Sequence, residues 1–333
     1  VIVDSSINHH PKNQKQKLFK NWLQGTPYLV SQYKNRVAHF KIQHLIDQVS
    51  PDVIHIDHLN MTQYLPENKA CTWVYEEHNL ESALVWSRAK HMTHLKTKVF
   101  LMIDAVMTYY YEQKNIPRFD AVFTISHHDH VKLKARFPQQ KIYPYLPTIL
   151  RKKIKRQPRA GKLLFIGDMT WQPNQDAIQW FIKRVLLSLQ KSIPDVELDV
   201  VGHIDHRWQE QQSTDGVNFH GYQVKIKKFL QTAEMFILPF QIGEGIRIKA
   251  LTAFSAGLPI ISTPTGAKGL ETTPDHEIII AHNASEFINS IVALHQNSSQ
   301  QKKLIVAGSQ YLNQHHSSKN KQQFLNNYRQ LIQ

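Results

Sequence analysis

Cysteine is nearly missing from this chain, and glycine is nearly missing from its first half. Cys71 stands alone among 333 residues, so no internal disulfide can form and an oxidising compartment gains no support. No apolar run approaches the ~18 residues of a membrane span. The longest, such as 235–240 and 258–261, are strand-sized. No signal-peptide pattern is visible. No helix-turn-helix, zinc or RNA-binding signature is present, so specific nucleic-acid recognition is not expected. Acid is also short: 26 Asp and Glu stand against 40 Lys and Arg, a net charge of +14. Such a surface attracts polyanions, nucleotide phosphates and anionic lipid among them.

What remains is a chain with 41% hydrophobic residues, long enough for two domains of about 150 residues each. Of the 12 glycines only Gly25 precedes residue 161. The early half therefore reads as long polar helices, and the later half as the strand–loop–helix rhythm of a parallel α/β domain. The basic segment 151–159 between them reads as a linker. The expected domains are 1–150 and 151–312, followed by a polar helix, 313–333, that can cross back to the first domain. Strands are expected at 53–57, 71–75, 121–125, 162–166, 196–201, 235–238, 258–262 and 277–280. Helices are expected near 34–48, 80–113 with a break, 128–136, 174–190, 223–232, 246–256, 285–296, 299–312 and 318–332.

The most informative stretch is 235–270. Met235 to Leu238 is a short apolar run stopped by Pro239. Gly243 and Gly245 flank Glu244, and glycines so spaced let backbone N–H groups approach a ligand. A helix starting near Ile246 would place Arg247 and Lys249 in its first turn. The helix dipole disfavours cations there, unless an anion such as a diphosphate joins them. Gly257-Leu258-Pro259 ends the helix and Ile260-Ile261 opens the next strand.

These residues resemble the donor-binding signature of the retaining glycosyltransferases of family 4 (group 1), which have the GT-B fold. That signature has a Glu, seven residues, a second Glu, then Ala-x-Ala-x-Gly-x-Pro-Val-Ile. Here Glu244 matches the first Glu, and 253–260 matches the tail. Thr252 stands where the second Glu is expected. A subgroup's Gly-Gly-Gly-x-Arg-x-Lys is close to 243–249. The resemblance extends to Leu163–Met169, Trp171, Pro173-Asn174, Val200-Val201-Gly202, Val217–Tyr222, Asp52–His58 and Glu76–Glu81, about residues 15–310 in all.

The resemblance implies an α/β protein of GT-B type, with two Rossmann-like domains facing a cleft. It implies transfer of a sugar, with retention, from a nucleotide-diphosphate sugar to a glycan or lipid-linked acceptor of the cell envelope. No cofactor is implied beyond that donor. Arg247 and Lys249 would hold the diphosphate in place of a divalent metal, and the chain has no Asp-x-Asp motif. Glu244 would accept from sugar hydroxyls. Gly167, Gly243, Gly245, Gly266 and Thr252 would line the donor, Thr252 at the ribose, where one hydroxyl cannot make a carboxylate's bidentate contact. His78, after the apolar Trp73-Val74-Tyr75, would face the donor sugar at a strand end. Glu76 and Glu77 face opposite sides in an extended chain and make no automatic acid/base pair.

The 20 histidines, including His-Ile-Asp-His at 55–58 and 203–206, match no zinc spacing and read as surface residues. A cytoplasmic place is expected, peripheral to the inner face of the membrane, with contact to anionic lipid. Val1-Ile2-Val3-Asp4 begins like the middle of a domain, so the first strand and Gly-rich loop of the N-terminal domain are expected to be missing. With Thr252, that leaves a second reading: a non-catalytic GT-B protein that binds a nucleotide sugar or a partner enzyme. A phosphate-handling enzyme on a doubly wound fold is a third, disfavoured by the Gly-Glu-Gly-x-Arg-x-Lys context.

Overall fold

A computed structural model describes residues 21, 22, 24–149 and 154–332. The chain's first twenty residues, where the expected truncation falls, and 151–153 of the basic segment lie outside them. The described elements run α1 (Tyr28–Ser31), α2 (Arg36–Val49), β1 (Val53–Ile56), β2 (Thr72–Glu77), α3 (Glu81–His91), α4 (Leu95–Asn115), β3 (Ala121–Thr124), α5 (His127–Arg136) and β4 (Ile142–Pro144). They continue with β5 (Lys162–Ile166), α6 (Gln172–Phe181), a π-helical turn (Ile182–Leu186), α7 (Leu187–Ser192), β6 (Glu197–Val201), α8 (His206–Gln211), β7 (Val217–Phe219), α9 (Lys227–Thr232) and β8 (Met235–Leu238). Last come α10 (Ile248–Ser255), β9 (Ile260–Ser262), β10 (Ile279–Ile280), α11 (Ala284–His295), α12 (Ser298–His315) and α13 (Ser318–Ile332).

The chain divides into two compact units, one of Val1–Leu146 with Gln322–Gln333, the other of Pro147–Lys321. In the first unit four parallel strands follow the order β1-β2-β3-β4. Strand β3 is buried at all four positions, and Trp73, Val74 and Tyr75 of β2 are 2% exposed or less. Continuous burial, rather than alternation, is what a parallel sheet covered on both faces requires. Part of that cover comes from α13. Phe324 and Tyr328 pack on Phe123 with ring centroids 4.8 and 5.3 Å away, and Phe324 stacks on Tyr145 at 4.1 Å.

The helix expected over 80–113 is two helices, broken at Met92–His94. Strand β4 and helices α1 and α8 were not marked in the sequence; each is six residues or shorter, too short for a period to show.

The second unit has the strand order β10-β9-β8-β5-β6-β7, parallel throughout. The chain enters at β5, runs outward through β6 and β7, then returns to β8 on the other side of β5. The direction of winding reverses between β5 and β8. Loops leaving the carboxyl ends of two such strands diverge and open a crevice. Basic residues expected to form a linker are partly structural here. The Arg156 guanidinium donates to the carbonyls of Gly257 and Ala233, and burial lowers its pKa to about 10. A loop end held that way is anchored, because the carbonyls it satisfies would otherwise be unpaired.

Candidate functional site

Two loops leave β5 and β8 at the winding reversal. The first runs from Gly167 to α6, the second from Pro239 to α10. The helix begins at Ile248, two residues later than the sequence suggests. Gly245 is left-handed, with φ +71°, and Arg247 occupies the N-cap with φ −92° and ψ 89°. Neither conformation continues a helix. No side chain caps α10, and its first turn holds no acid.

Arg247 is 5% exposed. Its Nη1 donates to the Glu244 carbonyl at 2.7 Å, and its guanidinium carbon lies 4.8 Å from the centre of the Phe240 ring. Gly243 makes this arrangement possible: a Cβ there would collide with Arg247 Nη2, and its φ of +152° suits few other residues. Lys249 reaches the other loop. Its Nζ donates to Asn174 Oδ1 at 2.7 Å and lies 4.5 Å and 4.8 Å from the ring centres of Phe165 and Phe240. A Cβ at Gly167 would stand 2.7 Å from that ammonium. Asn174, 3% exposed, is itself held by donation from Nδ2 to the Asp168 carbonyl at 2.7 Å. Burial pushes the Lys249 pKa well down, and the Arg247 charge pushes it further, against a smaller upward pull from Asp168. Two cations thus share one aromatic platform and repel each other, a combination relieved by an anion.

The carboxylate of Glu244, 6% exposed, is ion-paired to Lys268. Lys268 comes from the loop after β9, in which the Gly266 N–H donates to Thr263 Oγ1 at 3.1 Å. The structure therefore brings Gly167, Gly243, Gly245, Glu244, Arg247 and Lys249 to the carboxyl ends of β5 and β8, and Gly266 to that of the adjoining β9. Thr252 lies a turn further along α10, where its hydroxyl donates back to the Ile248 carbonyl at 3.2 Å. Asn174 and the platform of Phe165 and Phe240 were not singled out as site residues. Asn174 lies 75 positions from Lys249, and nothing local marks the pair. Phe240, directly after the strand stop Pro239, was the readable signal.

His78 belongs to the first unit, at the carboxyl end of β2. Its Nε2 lies 2.7 Å from Asp57 Oδ1 and 3.5 Å from Glu76 Oε1, and its ring lies 4.3 Å from that of His58. The histidines at 55 and 58 are exposed, as the sequence suggests, and they join this cluster. Ligand atoms of Asp57, His58 and His78 all lie within 4.8 Å of one another, as do those of His55, Asp57 and Glu76. Burial, then the neighbouring His78, lowers the His58 pKa.

Residues 160–297 match the family described as Glycosyl transferases group 1. A protein of Klebsiella pneumoniae, described as an uncharacterized 44.6 kDa protein in the cps region, is 22% identical over 166 residues, which take in 47% of this chain and 43% of that protein. Among solved structures, sucrose-phosphate synthase from Thermosynechococcus elongatus superposes with a TM-score of 0.71 at 14% identity, covering 98% of this chain and 82% of its own. TarM of S. aureus superposes at 0.67 and 13%, covering 87% and 57%. Anabaena HepE in complex with UDP superposes at 0.61 and 10%, covering 87% and 82%. The chain thus spans less than half of the Klebsiella protein and just over half of TarM. At these identities the likeness shows the fold, an α/β chain of GT-B type, and residues 160–297 carry the match to the group 1 glycosyl transferases.

Proposed function

We propose that this protein transfers a sugar, with retention and without a metal, from a nucleotide-diphosphate sugar to a glycan or lipid-linked acceptor of the cell envelope. The observation that carries the reading is the convergence of Arg247 and Lys249 on Phe240 at the winding reversal of the second unit. When the bond between the anomeric carbon and the diphosphate oxygen breaks, negative charge grows on the leaving group. Two cations already fixed in place stabilise that charge without reorganising. Glu244, beside them, accepts from sugar hydroxyls once Lys268 gives way. His78, oriented by Asp57, serves the sugar or acceptor side. The UDP held by HepE, the UDP and α-GlcNAc-glycerol held by TarM, and the cps location of the Klebsiella relative support a sugar-nucleotide donor and a surface-glycan acceptor. Release of UDP or GDP from a panel of nucleotide sugars tests it. Turnover of one donor is the expected result, and binding without turnover of any would favour the non-catalytic reading.

Thr252 is the observation that favours that second reading, because its hydroxyl is engaged on its own helix where a carboxylate would grip the ribose diol. Thr252→Glu should tighten nucleoside-diphosphate binding by about three- to tenfold, one added charge-assisted contact. Titration calorimetry with UDP and GDP reads this. Unchanged or weaker affinity would mean that the ribose is held elsewhere, or that no nucleotide binds.

A further inference from the structure

The tetrapeptide His-Ile-Asp-His occurs at 55–58 and again at 203–206, and the fold puts the two copies to different use. In the later copy Asp205 caps α8 by accepting from the Trp208 N–H at 3.0 Å, His206 pairs with Glu210 of the same helix, and His203 stacks on Tyr222. In the earlier copy β1 ends at Ile56, and Asp57 and His58 follow it at the carboxyl end of the strand. Ile56 and Leu59, 8% and 1% exposed, anchor the backbone on both sides, so Asp57 and His58 are held outward at a fixed place. The parallel partner β2 brings Glu76 and His78 alongside, again flanked by buried residues, Tyr75, Glu77 and Leu80. His78 Nε2 thus lies 2.7 Å from Asp57 Oδ1 and 3.5 Å from Glu76 Oε1. Glu76 Oε2 lies 3.3 Å from His55 Nε2, and His55 Nδ1 is hydrogen-bonded to the Tyr328 hydroxyl. Among the described residues, Asp57 and Glu76 form ion pairs with histidines and with no lysine or arginine, in a chain that has 40 of those cations.

We propose that Asp57, His58 and His78, with Glu76 beside them, bind a single zinc ion. Imidazole and carboxylate together suit zinc, whereas magnesium and calcium take oxygen alone. Donors about 2.0–2.1 Å from a tetrahedral ion stand about 3.3 Å from one another. The separations of 2.7 and 3.5 Å around His78 straddle that value. Ligand atoms of Asp57, His58 and His78 all lie within 4.8 Å of one another, a spread that side-chain rotation can close. Two carboxylates with no lysine or arginine against them leave a charge that a dication balances. His55 steadies Glu76 from its far side, the kind of outer support that fixes a metal ligand. The Asp57 side chain is 66% exposed, so an ion can enter from solvent. Among the described residues the copy at 203–206 joins no such group. An ion held by Asp57 and His78 would occupy groups assigned above to the sugar or acceptor side, so zinc would inhibit transfer rather than support it. The site itself does not rest on sugar transfer, and its test needs neither donor nor acceptor.

The test is calorimetric titration of the full chain with Zn²⁺, with Co²⁺ as a spectroscopic stand-in. Wild type should bind one Zn²⁺ per chain more tightly than any further ions, and the Co²⁺ form should show the intense visible band of a distorted tetrahedral site. His58→Ala should weaken that site by about tenfold or more, since loss of an outer supporting partner alone costs about 10–100-fold, and should abolish the band. His206→Ala removes the matching histidine of the other copy, whose side chain is 83% exposed, and should change neither. If His58→Ala fails to fold, Asp57→Asn, which keeps the shape of the side chain, takes its place. Equal loss in the two alanine variants, or none in either, would overturn the proposal in favour of scattered adsorption on surface histidines. Displacement of the ion by millimolar Mg²⁺ would overturn it in favour of simple screening of two carboxylates. Absence of a tight first site would overturn it outright.

Discussion

Arg247→Ala should weaken the binding of UDP or GDP by about tenfold to a hundredfold. A hydrogen bond to a charged group contributes about 1.5–3 kcal/mol, and each 1.4 kcal/mol is tenfold in affinity. Arg247 is placed for a large effect. It is nearly buried, braced against Phe240 and by the Glu244 carbonyl, so little ordering remains to be done when an anion arrives. Arg247→Lys keeps the charge but loses the planar fork and its stacking, and should fall between the two. Thermal unfolding of each variant separates lost binding from lost structure. Lys249 adds a pH signature. Its pKa is held well down by burial and by Arg247, and a bound diphosphate favours its charged form. Binding should therefore take up protons and weaken as pH rises through the free protein's Lys249 pKa. Equal calorimetric affinities for wild type and Arg247→Ala would remove the diphosphate role.

The second large effect concerns stability. Glu77→Gln should stabilise the first unit at neutral pH and above. Glu77 is 0% exposed at the end of β2. Burial raises its pKa well above the ordinary 4.5, and Glu112, Glu81 and Asp129 raise it further, while the Tyr75 hydroxyl works the other way. Of these neighbours, Glu112 is paired with Arg136 at 2.5 Å, so its own charge is balanced while Glu77 feels the remainder. Below the ordinary carboxylate pKa the residue is protonated folded or unfolded, and its contribution is fully present. As pH rises, the unfolded chain releases the proton first, so stability falls until the folded group ionises too. Glutamine has no proton to lose. Its advantage over wild type should grow from near zero at about pH 5 to about 1–3 kcal/mol at about pH 8, several degrees in the melting temperature of a unit this size. Calorimetric melting at both pH values checks it. A variant less stable than wild type at every pH would mean that Glu77 is ionised and anchors a cation.

The loop between β8 and α10 was legible because its constraints are local. Gly243 and Gly245 need backbone angles that few other residues adopt, and such needs are written at the position itself. The fully buried β8 was equally readable from its four apolar residues. The platform was not, since Asn174, Phe165 and Phe240 become neighbours of Lys249 only through the order of strands in the sheet. The cluster of Asp57, His58 and His78 was missed for a like reason: parallel pairing of β1 and β2 brings together strand ends about twenty residues apart. The start of α10 was placed early because apolar period alone does not show where a left-handed glycine delays the first turn. In α4 the limit was different. Its buried positions, Leu101, Asp104, Ala105, Thr108, Glu112 and Asn115, are mostly polar, so the apolar period does not mark the inward face.

The route of the chain through its two units also bears on how the protein is made. Phe123, Tyr143 and Tyr145 are covered in part by Phe324, Tyr328 and Leu331, which leave the ribosome only after the whole of Pro147–Lys321 has been synthesised. At elongation rates of about 5–20 residues per second, the nascent first unit waits roughly ten to thirty seconds with part of its sheet bare, while the second unit emerges as one uninterrupted stretch. Until those three residues emerge, the bare aromatic sheet is where a chaperone would bind.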